Sequence, residues 1–285
     1  MTEIPAAAAF VTLEEIRAAA SRIAPVARVT PLVDVSGPAG RPLYLKAESL
    51  QPAGAFKIRG AYNMVAQLDA TRRAAGVITY SSGNHGQAMA LAARTLGAPA
   101  VVVMPTTAPK VKVEGARAFG AEVILTGTTS ADRRARAEAE ASSRGLTMVP
   151  PFDHEWIIAG QGTAGLEILD QCPNVAVVLV PIGGGGLAAG VAAAIKQSRP
   201  DVKIIGVEPT GAAKMKRSVD AGHPVTLSST DTIADGLMPV RPGDLTFAHV
   251  QKFVDRVITV DDKEIIAAVL WIFANARLVA EPSGA

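Results

Sequence analysis

The sequence predicts an α/β protein with parallel sheets, and three observations support this fold class. Between residues 76 and 144, short apolar segments with strand character alternate with segments of helical periodicity. Residues 175–195 carry no charge and read as a buried strand, a glycine loop and an alanine-rich helix. Hydrophobic residues make up 49% of the 285 residues and charged residues 19%. This composition excludes disorder and favours strands that are buried on both faces.

The first part of the chain predicts two helices separated by a short strand and loops. Residues 12–24 have apolar side chains at helical spacing, and Thr12 with Glu15 has the pattern of a capping box. A strand is expected at 43–46. A second helix is expected at 56–68, which places Lys57 at a helix amino terminus.

The remaining elements follow from the alternation. Strands are expected at 77–80, 100–104, 122–126, 175–181, 203–208 and 257–260. Helices are expected at 86–96, 110–119, 130–144, 158–171, 187–196 and 262–278. Four glycines within the uncharged stretch argue against a membrane span. We expect two lobes, with a small one of residues 51–150 inserted into a larger one of residues 1–50 and 151–285.

Charge, cysteine content and the amino terminus narrow the function classes. A net charge of +2 is too small to attract a polyanion, so no nucleic-acid partner is expected. The basic clusters at 72–73, 133–134 and 214–217 are interpreted as solvated helix faces. Cys172 is the only cysteine, which excludes an intrachain disulfide and fits a reducing compartment. The amino terminus lacks the basic start and long apolar region of a signal peptide, so a cytoplasmic location is expected.

Three segments could carry chemistry, and the first is 54–60, GAFKIRG, which contains Lys57. Taken alone, Lys57 reads as a solvated surface residue. The second is Gly183–Gly186, where backbone N–H groups between a strand and a helix can bind a phosphate. A dinucleotide site is a competing interpretation, because residues 183–188 also fit a degenerate G-x-G-x-x-A pattern. Glu208 then stands where such a fold places its ribose-binding acid.

The third segment, 81–87, SSGNHGQ, follows a predicted strand and opens a helix. Its hydroxyls, amide, imidazole and N–H groups suit a carboxylate, although a capped turn has the same composition. A lysine at a helix start, a carboxylate-binding loop and a phosphate loop together indicate a site for pyridoxal phosphate. A dehydrogenase needs no such lysine, which weighs against the dinucleotide interpretation.

Six motifs in order resemble the serine/threonine dehydratase and serine racemase family of fold-type II pyridoxal phosphate enzymes, whose fold is a two-lobed open parallel-sheet fold. The motifs are LYLKAESLQPAGAFKIRGA, SSGNHGQA, IIAGQGT, PIGGGGL, TIADG and EPSGA. The resemblance implies that Lys57 forms the Schiff base with the cofactor and takes the substrate's α-proton. It also implies cofactor contacts by Phe56, Asn84, Gly183, Gly184, Gly185, Gly186 and Glu281. Ser81, Ser82, His85 and Arg133 are implied in substrate binding, and Ser82 is the second acid/base in racemases of this group.

The chain also departs from the family pattern. The metal site of some relatives corresponds to Glu208, Ala212 and position 214, where Lys214 replaces the expected acid, so a bound Mg²⁺ or Ca²⁺ is doubtful. Phe152 stands where dehydratases often carry phenylalanine and racemases asparagine, which favours elimination. EPSGA normally opens a helix that leads to a further strand and a turn that meets the pyridine nitrogen. Since none of these follows Ala285, the sequence is expected to be part of a longer protein.

The expected function is therefore an ammonia-lyase that converts L-threonine or L-serine to a 2-oxo acid and ammonia. Serine racemase and 3-hydroxyaspartate dehydratase remain alternatives within the family. An NAD-binding dehydrogenase and an inactive cofactor-binding relative are the alternatives of other classes. We expect a small amino-acid substrate, no membrane partner, and a homodimer or homotetramer.

Overall fold

The computed structural model describes residues 10–81 and 83–285, which divide into two compact units. Unit 1 comprises the described part of Met1–Ala18, together with Val29–Ser49 and Phe152–Ala285. Unit 2 comprises Ala19–Arg28 and Leu50–Pro151. Each unit contains a parallel sheet of its own, as described below.

The helices and strands alternate along most of the chain. The helices are α1 (Leu13–Ile23), α2 (Ser36–Ala39), α3 (Lys57–Ala66), α4 (Ala70–Ala75), α5 (Asn84–Thr95), α6 (Lys110–Ala118), α7 (Ser130–Arg144), α8 (Glu155–Gln171), α9 (Gly186–Ser198), α10 (Lys214–Ala221), α11 (Asp244–Phe253) and α12 (Asp262–Ala276). The strands are β1 (Leu32–Asp34), β2 (Tyr44–Lys46), β3 (Val77–Tyr80), β4 (Ala100–Met104), β5 (Glu122–Leu125), β6 (Thr147–Met148), β7 (Val177–Pro181), β8 (Lys203–Pro209) and β9 (Arg256–Val260).

Unit 2 is built on a parallel sheet in the order β5-β4-β3-β6. All five residues of β4 are buried, which explains why this segment reads as a continuous apolar run. The charged helix α7 covers the sheet with Ala137, which packs with Ile78, Val101 and Val103. Its outer face carries exposed ion pairs such as Arg134–Glu138, so the basic pair at 133–134 includes a solvated residue, as predicted.

Unit 1 contains a parallel sheet in the order β7-β8-β9 and the antiparallel pair β1-β2. Its helices α8 and α9 cross at glycines, which accounts for the IIAGQGT motif. A Cβ on Gly190 would lie 2.3 Å from the carbonyl oxygen of Ile158, and one on Gly162 would lie 2.9 Å from that of Gly190. Only glycine permits this approach of the two backbones.

Most predicted elements are confirmed within a few residues, and the capping box at Thr12 is present. The backbone N–H of Thr12 donates to Glu15 Oε2 at 2.7 Å, and that of Glu15 donates to Thr12 Oγ1 at 3.2 Å. The helices α2, α4, α10 and α11 and the strand β1 were not predicted. It was also wrong to treat all of 214–217 as solvated, because Lys214 is fully buried.

None of the helices in the described part of the chain combines the length and apolar character that crossing a bilayer requires.

Candidate active site

The predicted site residues divide between the two units, and in unit 2 the central one is Lys57. It is the first residue of α3, directly after Phe56. The half-buried side chain places Nζ 2.7 Å from the carbonyl oxygen of Pro151, to which it donates a hydrogen bond. The same nitrogen lies 5.2 Å from the centre of the Phe56 ring. Lys57 is therefore held inside a structured environment, contrary to the interpretation of the heptapeptide taken alone.

His85 is buried close enough to Lys57 for the lysine charge to affect its titration. Its exposed fraction is 2%, and its Nε2–H donates to the carbonyl oxygen of Val149 at 3.1 Å. Burial and then the charge of Lys57 lower the pKa of His85 to about 3, against the opposing hydrogen bond to Val149. The imidazole is therefore neutral at physiological pH. Because Nε2 carries the proton, Nδ1 is an acceptor, and it has no hydrogen-bond partner among the described residues.

The loop before α5 is shaped by Ser81 and Gly86. The hydroxyl oxygen of Ser81 accepts a hydrogen bond from the N–H of Gly83 at 3.3 Å. A Cβ on Gly86 would lie 2.7 Å from the carbonyl oxygen of Ser81, so this turn requires glycine there. Asn84 is the first residue of α5. Ser82, predicted as a catalytic residue, lies outside the described residues.

Arg133 lies in the first turns of α7 and contacts the loop before that helix. Its guanidinium donates to the carbonyl oxygen of Thr128 at 3.4 Å and to Ser130 Oγ at 2.8 Å. Its Nε is buried without a hydrogen-bond partner among the described residues. Burial lowers the pKa of Arg133, while Asp132 opposes that shift. Its predicted role in substrate binding stays a prediction.

In unit 1 the glycine loop joins β7 to α9, as the sequence predicted. Steric contacts or the backbone conformation require glycine at two of its positions. A Cβ on Gly184 would lie 2.2–2.4 Å from three atoms of the Phe152 ring. Gly185 has a φ of 100°, a conformation that side-chain-bearing residues rarely adopt. Because Gly186 opens the helix of 13 residues, the positive end of its dipole faces this loop.

Two residues that the sequence analysis missed, Asp153 and Thr246, support the glycine loop. Asp153 accepts hydrogen bonds from the backbone N–H groups of residues 244, 245 and 246 at 3.0–3.1 Å and so caps α11. Thr246 Oγ1 then donates to the carbonyl oxygen of Gly184 at 2.7 Å. The sequence does contain a local indication of this helix, since Gly243 followed by Asp244 resembles a helix start. The carboxylate that caps the helix, however, lies about 90 residues earlier in the chain.

Glu281 lies beside the segment that borders the glycine loop. The N–H of Gly236 donates to Ser283 Oγ at 2.9 Å, and a Cβ on Gly236 would lie 3.7 Å from Glu281 Oε1. The carbonyl oxygen of Gly236 would in turn stand 2.8 Å from a Cβ on Gly183. Gly236 thus contacts both the EPSGA motif and the glycine loop.

The predicted metal position is filled by Lys214, whose Nζ lies 3.0 Å from Glu208 Oε1 and 3.0 Å from the carbonyl oxygen of Ala212. Burial lowers the pKa of Lys214, and the charge of Glu208 opposes the shift. No group of three or more histidine, cysteine, aspartate or glutamate side chains that could hold a metal occurs in residues 10–81 and 83–285. Glu208 is itself fully buried, so it does not offer a carboxylate to a ribose as the dinucleotide interpretation required.

Comparison with known proteins gives a consistent result. A family model described as pyridoxal-phosphate dependent enzyme matches residues 23–285. The biosynthetic L-threonine dehydratase of Pasteurella multocida is 46% identical over 268 residues, which are 93% of this chain and 52% of that protein. The L-threonine ammonia-lyase of Thermotoga maritima is 43% identical, over 97% of this chain and 70% of that one. The chain thus spans about half the length of the first of these relatives.

The fold has a close counterpart among solved structures. Maize serine racemase superimposes with a TM-score of 0.94 at 41% identity, over 97% of this chain and 85% of that one.

Proposed function

The chain belongs to the pyridoxal-phosphate dependent enzymes and has their type II fold, as its motifs predicted, and from this premise we propose that it is a threonine/serine ammonia-lyase. The reaction is the β-elimination of water from L-threonine or L-serine; the enamine that is formed tautomerises to an imine, and one water hydrolyses the imine to a 2-oxo acid and ammonia. The observation that carries this proposal is Lys57, held by the Pro151 carbonyl at a helix start beside a buried, neutral His85. Relatives named for this activity at 43–46% identity support it.

Two observations fit pyridoxal phosphate. The glycine loop is packed so tightly that a Cβ on Gly184 would enter the Phe152 ring, which leaves backbone N–H groups as the natural partners of a phosphate. The buried Nδ1 of His85 lacks a partner among the described residues, and a ligand with a donor group would satisfy it.

We propose that the predicted residues hold the cofactor and the substrate in the roles that the family motifs imply. Lys57 would hold the cofactor covalently, with further contacts from Phe56, Asn84, Gly183, Gly184, Gly185, Gly186 and Glu281. The substrate would be bound by Ser81, Ser82, His85 and Arg133. Pyridoxal phosphate, when bound, supplies an electron-accepting ring that stabilises negative charge on the substrate's Cα.

We propose that Lys57 transfers a proton in the reaction and that His85 orients the substrate by a hydrogen bond. Once the substrate's amino group has taken the place of Lys57, the released and neutral Lys57 amine would donate one N–H to Pro151 and keep its lone pair, with which Nζ would take the proton from Cα. His85 Nδ1 can only accept a hydrogen bond while Nε2–H is held by Val149. We therefore assign His85 to a hydroxyl or ammonium donor of the substrate, and leave the carboxylate to Ser81, Ser82 and Arg133.

Serine racemisation is the second candidate, because maize serine racemase shares the fold at 41% identity. It needs an acid on the face opposite Lys57, for which Ser82 is the proposed group. Dehydration of 3-hydroxyaspartate is the remaining alternative within the family. We further propose that the protein is cytoplasmic, supported by its single cysteine, and that it forms a homodimer or homotetramer.

The test compares Lys57→Ala with Lys110→Ala. Lys110 is a matched control because it is also the first residue of a helix in unit 2, but its side chain is 88% exposed. With pyridoxal phosphate added, the wild type and Lys110→Ala should show the visible absorbance of the lysine-bound cofactor and release keto acid and ammonia from L-threonine or L-serine. Lys57→Ala should lose both signals.

Other outcomes separate the alternatives. Retained absorbance or turnover in Lys57→Ala would contradict the assignment of Lys57. Absorbance without ammonia release in the wild type would indicate an inactive relative, and D-serine from L-serine would indicate a racemase. A panel of L-threonine, L-serine and 3-hydroxyaspartate decides the preferred substrate.

A further inference from the structure

Unit 1 contains a buried cation enclosed by oxygen atoms, and that cation is Lys214. The side chains of Lys214 and Glu208 are both 0% exposed. Nζ lies 3.0 Å from Glu208 Oε1, 3.0 Å from the carbonyl oxygen of Ala212, 3.1 Å from that of Ile182 and 2.9 Å from that of Leu237. We call these four oxygens the cation cage.

The cage surrounds the nitrogen as a coordination shell surrounds a metal ion. An ammonium group has three N–H donors, yet four oxygens stand within hydrogen-bond distance of Nζ. The carboxylate of Glu208 also accepts hydrogen bonds from two backbone N–H groups, that of Met215 to Oε1 at 3.0 Å and that of Lys216 to Oε2 at 2.7 Å. The Glu208 carboxylate thus has hydrogen-bond partners in the first turn of α10 besides the ammonium group of Lys214.

The cation cage takes one oxygen from the residue that precedes the glycine loop and one from a segment that packs against the loop. Ile182 directly precedes Gly183, so its carbonyl anchors the end of β7. Leu237 directly follows Gly236, whose carbonyl oxygen would lie 2.8 Å from a Cβ on Gly183. The positive charge of Nζ thus links two segments, since Nζ donates hydrogen bonds to the carbonyl oxygens of Ile182 and Leu237.

We propose that Lys214 is a built-in cation that fixes the glycine loop, and that this chain therefore holds no divalent cation at the place where relatives with an acid at position 214 hold one. Replacing Lys214 by an acid tests this assignment, because it removes the built-in charge and adds a ligand. Carboxylate and carbonyl oxygens are the ligands that hard divalent cations prefer. Ca²⁺ should fit better than Mg²⁺, because Ca²⁺–oxygen distances of about 2.4 Å are nearer to those around Nζ than the roughly 2.1 Å of Mg²⁺. The proposal concerns unit 1 alone and holds whatever reaction the protein catalyses.

The experiment measures thermal unfolding and metal content of the 285-residue protein without substrate, in EDTA, CaCl₂ or MgCl₂. Lys214→Asp adds a second carboxylate beside Glu208. In EDTA it should unfold about 10 °C below the wild type, because an uncompensated buried charge remains. In CaCl₂ it should bind about one ion per chain and recover most of the loss, while the wild type should bind none there and keep its unfolding temperature.

Lys216→Met is the matched control, since Lys216 lies on the same helix but pairs with Asp220 on the exposed surface. It should unfold near the wild-type temperature in every buffer. A Lys214→Asp protein that neither binds nor responds to Ca²⁺, or fails to fold even with Ca²⁺ present, would overturn the proposal. A wild-type protein that Ca²⁺ stabilises would overturn it as well.

A second pair of variants tests whether the buried ion pair between Lys214 and Glu208 stabilises the fold. Lys214→Met leaves the Glu208 charge buried without a partner, whereas Glu208→Gln combined with Lys214→Met removes both charges. The double variant should unfold at a clearly higher temperature than Lys214→Met. Equal unfolding temperatures would show that the ion pair is not what holds the cage. Because none of these measurements uses catalysis, an inactive protein would disprove the proposed reaction without affecting this result.

Discussion

Replacing Gly184 with alanine should destabilise the glycine loop through one identified collision. A Cβ at this position would lie 2.2 Å, 2.3 Å and 2.4 Å from Cδ1, Cγ and Cε1 of Phe152. Carbon atoms in favourable contact are about 3.5–4.0 Å apart, so the ring or the loop has to move by more than 1 Å, roughly. The loop is restrained by the hydrogen bond from Thr246 Oγ1 to the Gly184 carbonyl.

Overpacking of this kind typically costs about 1–3 kcal/mol. For a domain of this size, each kcal/mol lowers the unfolding temperature by about 2–4 °C. We therefore expect Gly184→Ala to unfold about 2–12 °C below the wild type. We also expect weaker binding of pyridoxal phosphate, measured by absorbance titration, because the displaced N–H groups would no longer converge on the phosphate that we propose they bind.

The matched control is Gly37→Ala, because no atom lies within 4 Å of the Cβ it would add. Its unfolding free energy should stay within about 0.5 kcal/mol of the wild type. The decisive measurement is the double variant with Phe152→Ala, in which the collision partner is absent. Gly184→Ala should cost clearly less in that background, with a coupling of about 1 kcal/mol or more. An equal cost in both backgrounds would refute the collision as the cause.

Two further predictions concern His85 and Asp153. The folded pKa of His85, at about 3, lies below that of an unfolded histidine, so the unfolded chain takes up a proton as pH falls from 6.5. Stability should then fall by about 1.4 kcal/mol per pH unit until the folded pKa is reached. Unfolding temperatures of the wild type between pH 4.5 and 7.5 should fall more steeply with acidity than those of His85→Gln, and parallel curves would contradict the assignment. Asp153→Ala should cost about 1–2 kcal/mol by uncapping α11, and Asp153→Asn less because it keeps one acceptor oxygen; equal losses in urea unfolding would argue against a capping role.

The class of fold and most of its elements could be read from the sequence, because they follow from local patterns. The all-apolar run at β4 is buried on both faces, and the glycine loop is flanked by a strand and a helix, as predicted. The helix α11 was missed because the carboxylate that caps it comes from Asp153, far earlier in the chain. Local propensity does not contain such a contact.

The candidate site was predictable in its residue types but not in its environments. The motif around Lys57 located the lysine at a helix start, which α3 confirms. It did not reveal that Nζ would be held by Pro151 or that His85 would be neutral, since both depend on which atoms burial brings together. The catalytic and binding roles of these residues stay predictions.

By itself the sequence determined the family, the alternation of strands and helices, and the positions of the lysine and the glycine loop, because these reside in residue order and spacing. Only the tertiary structure decided the state of Lys214. As part of a basic cluster it reads as a solvated residue, yet the fold buries it among one carboxylate and three carbonyl oxygens. The physical reason is that the cost of burying a charge depends on the partners around it, and all four of these oxygens come from residues outside the cluster.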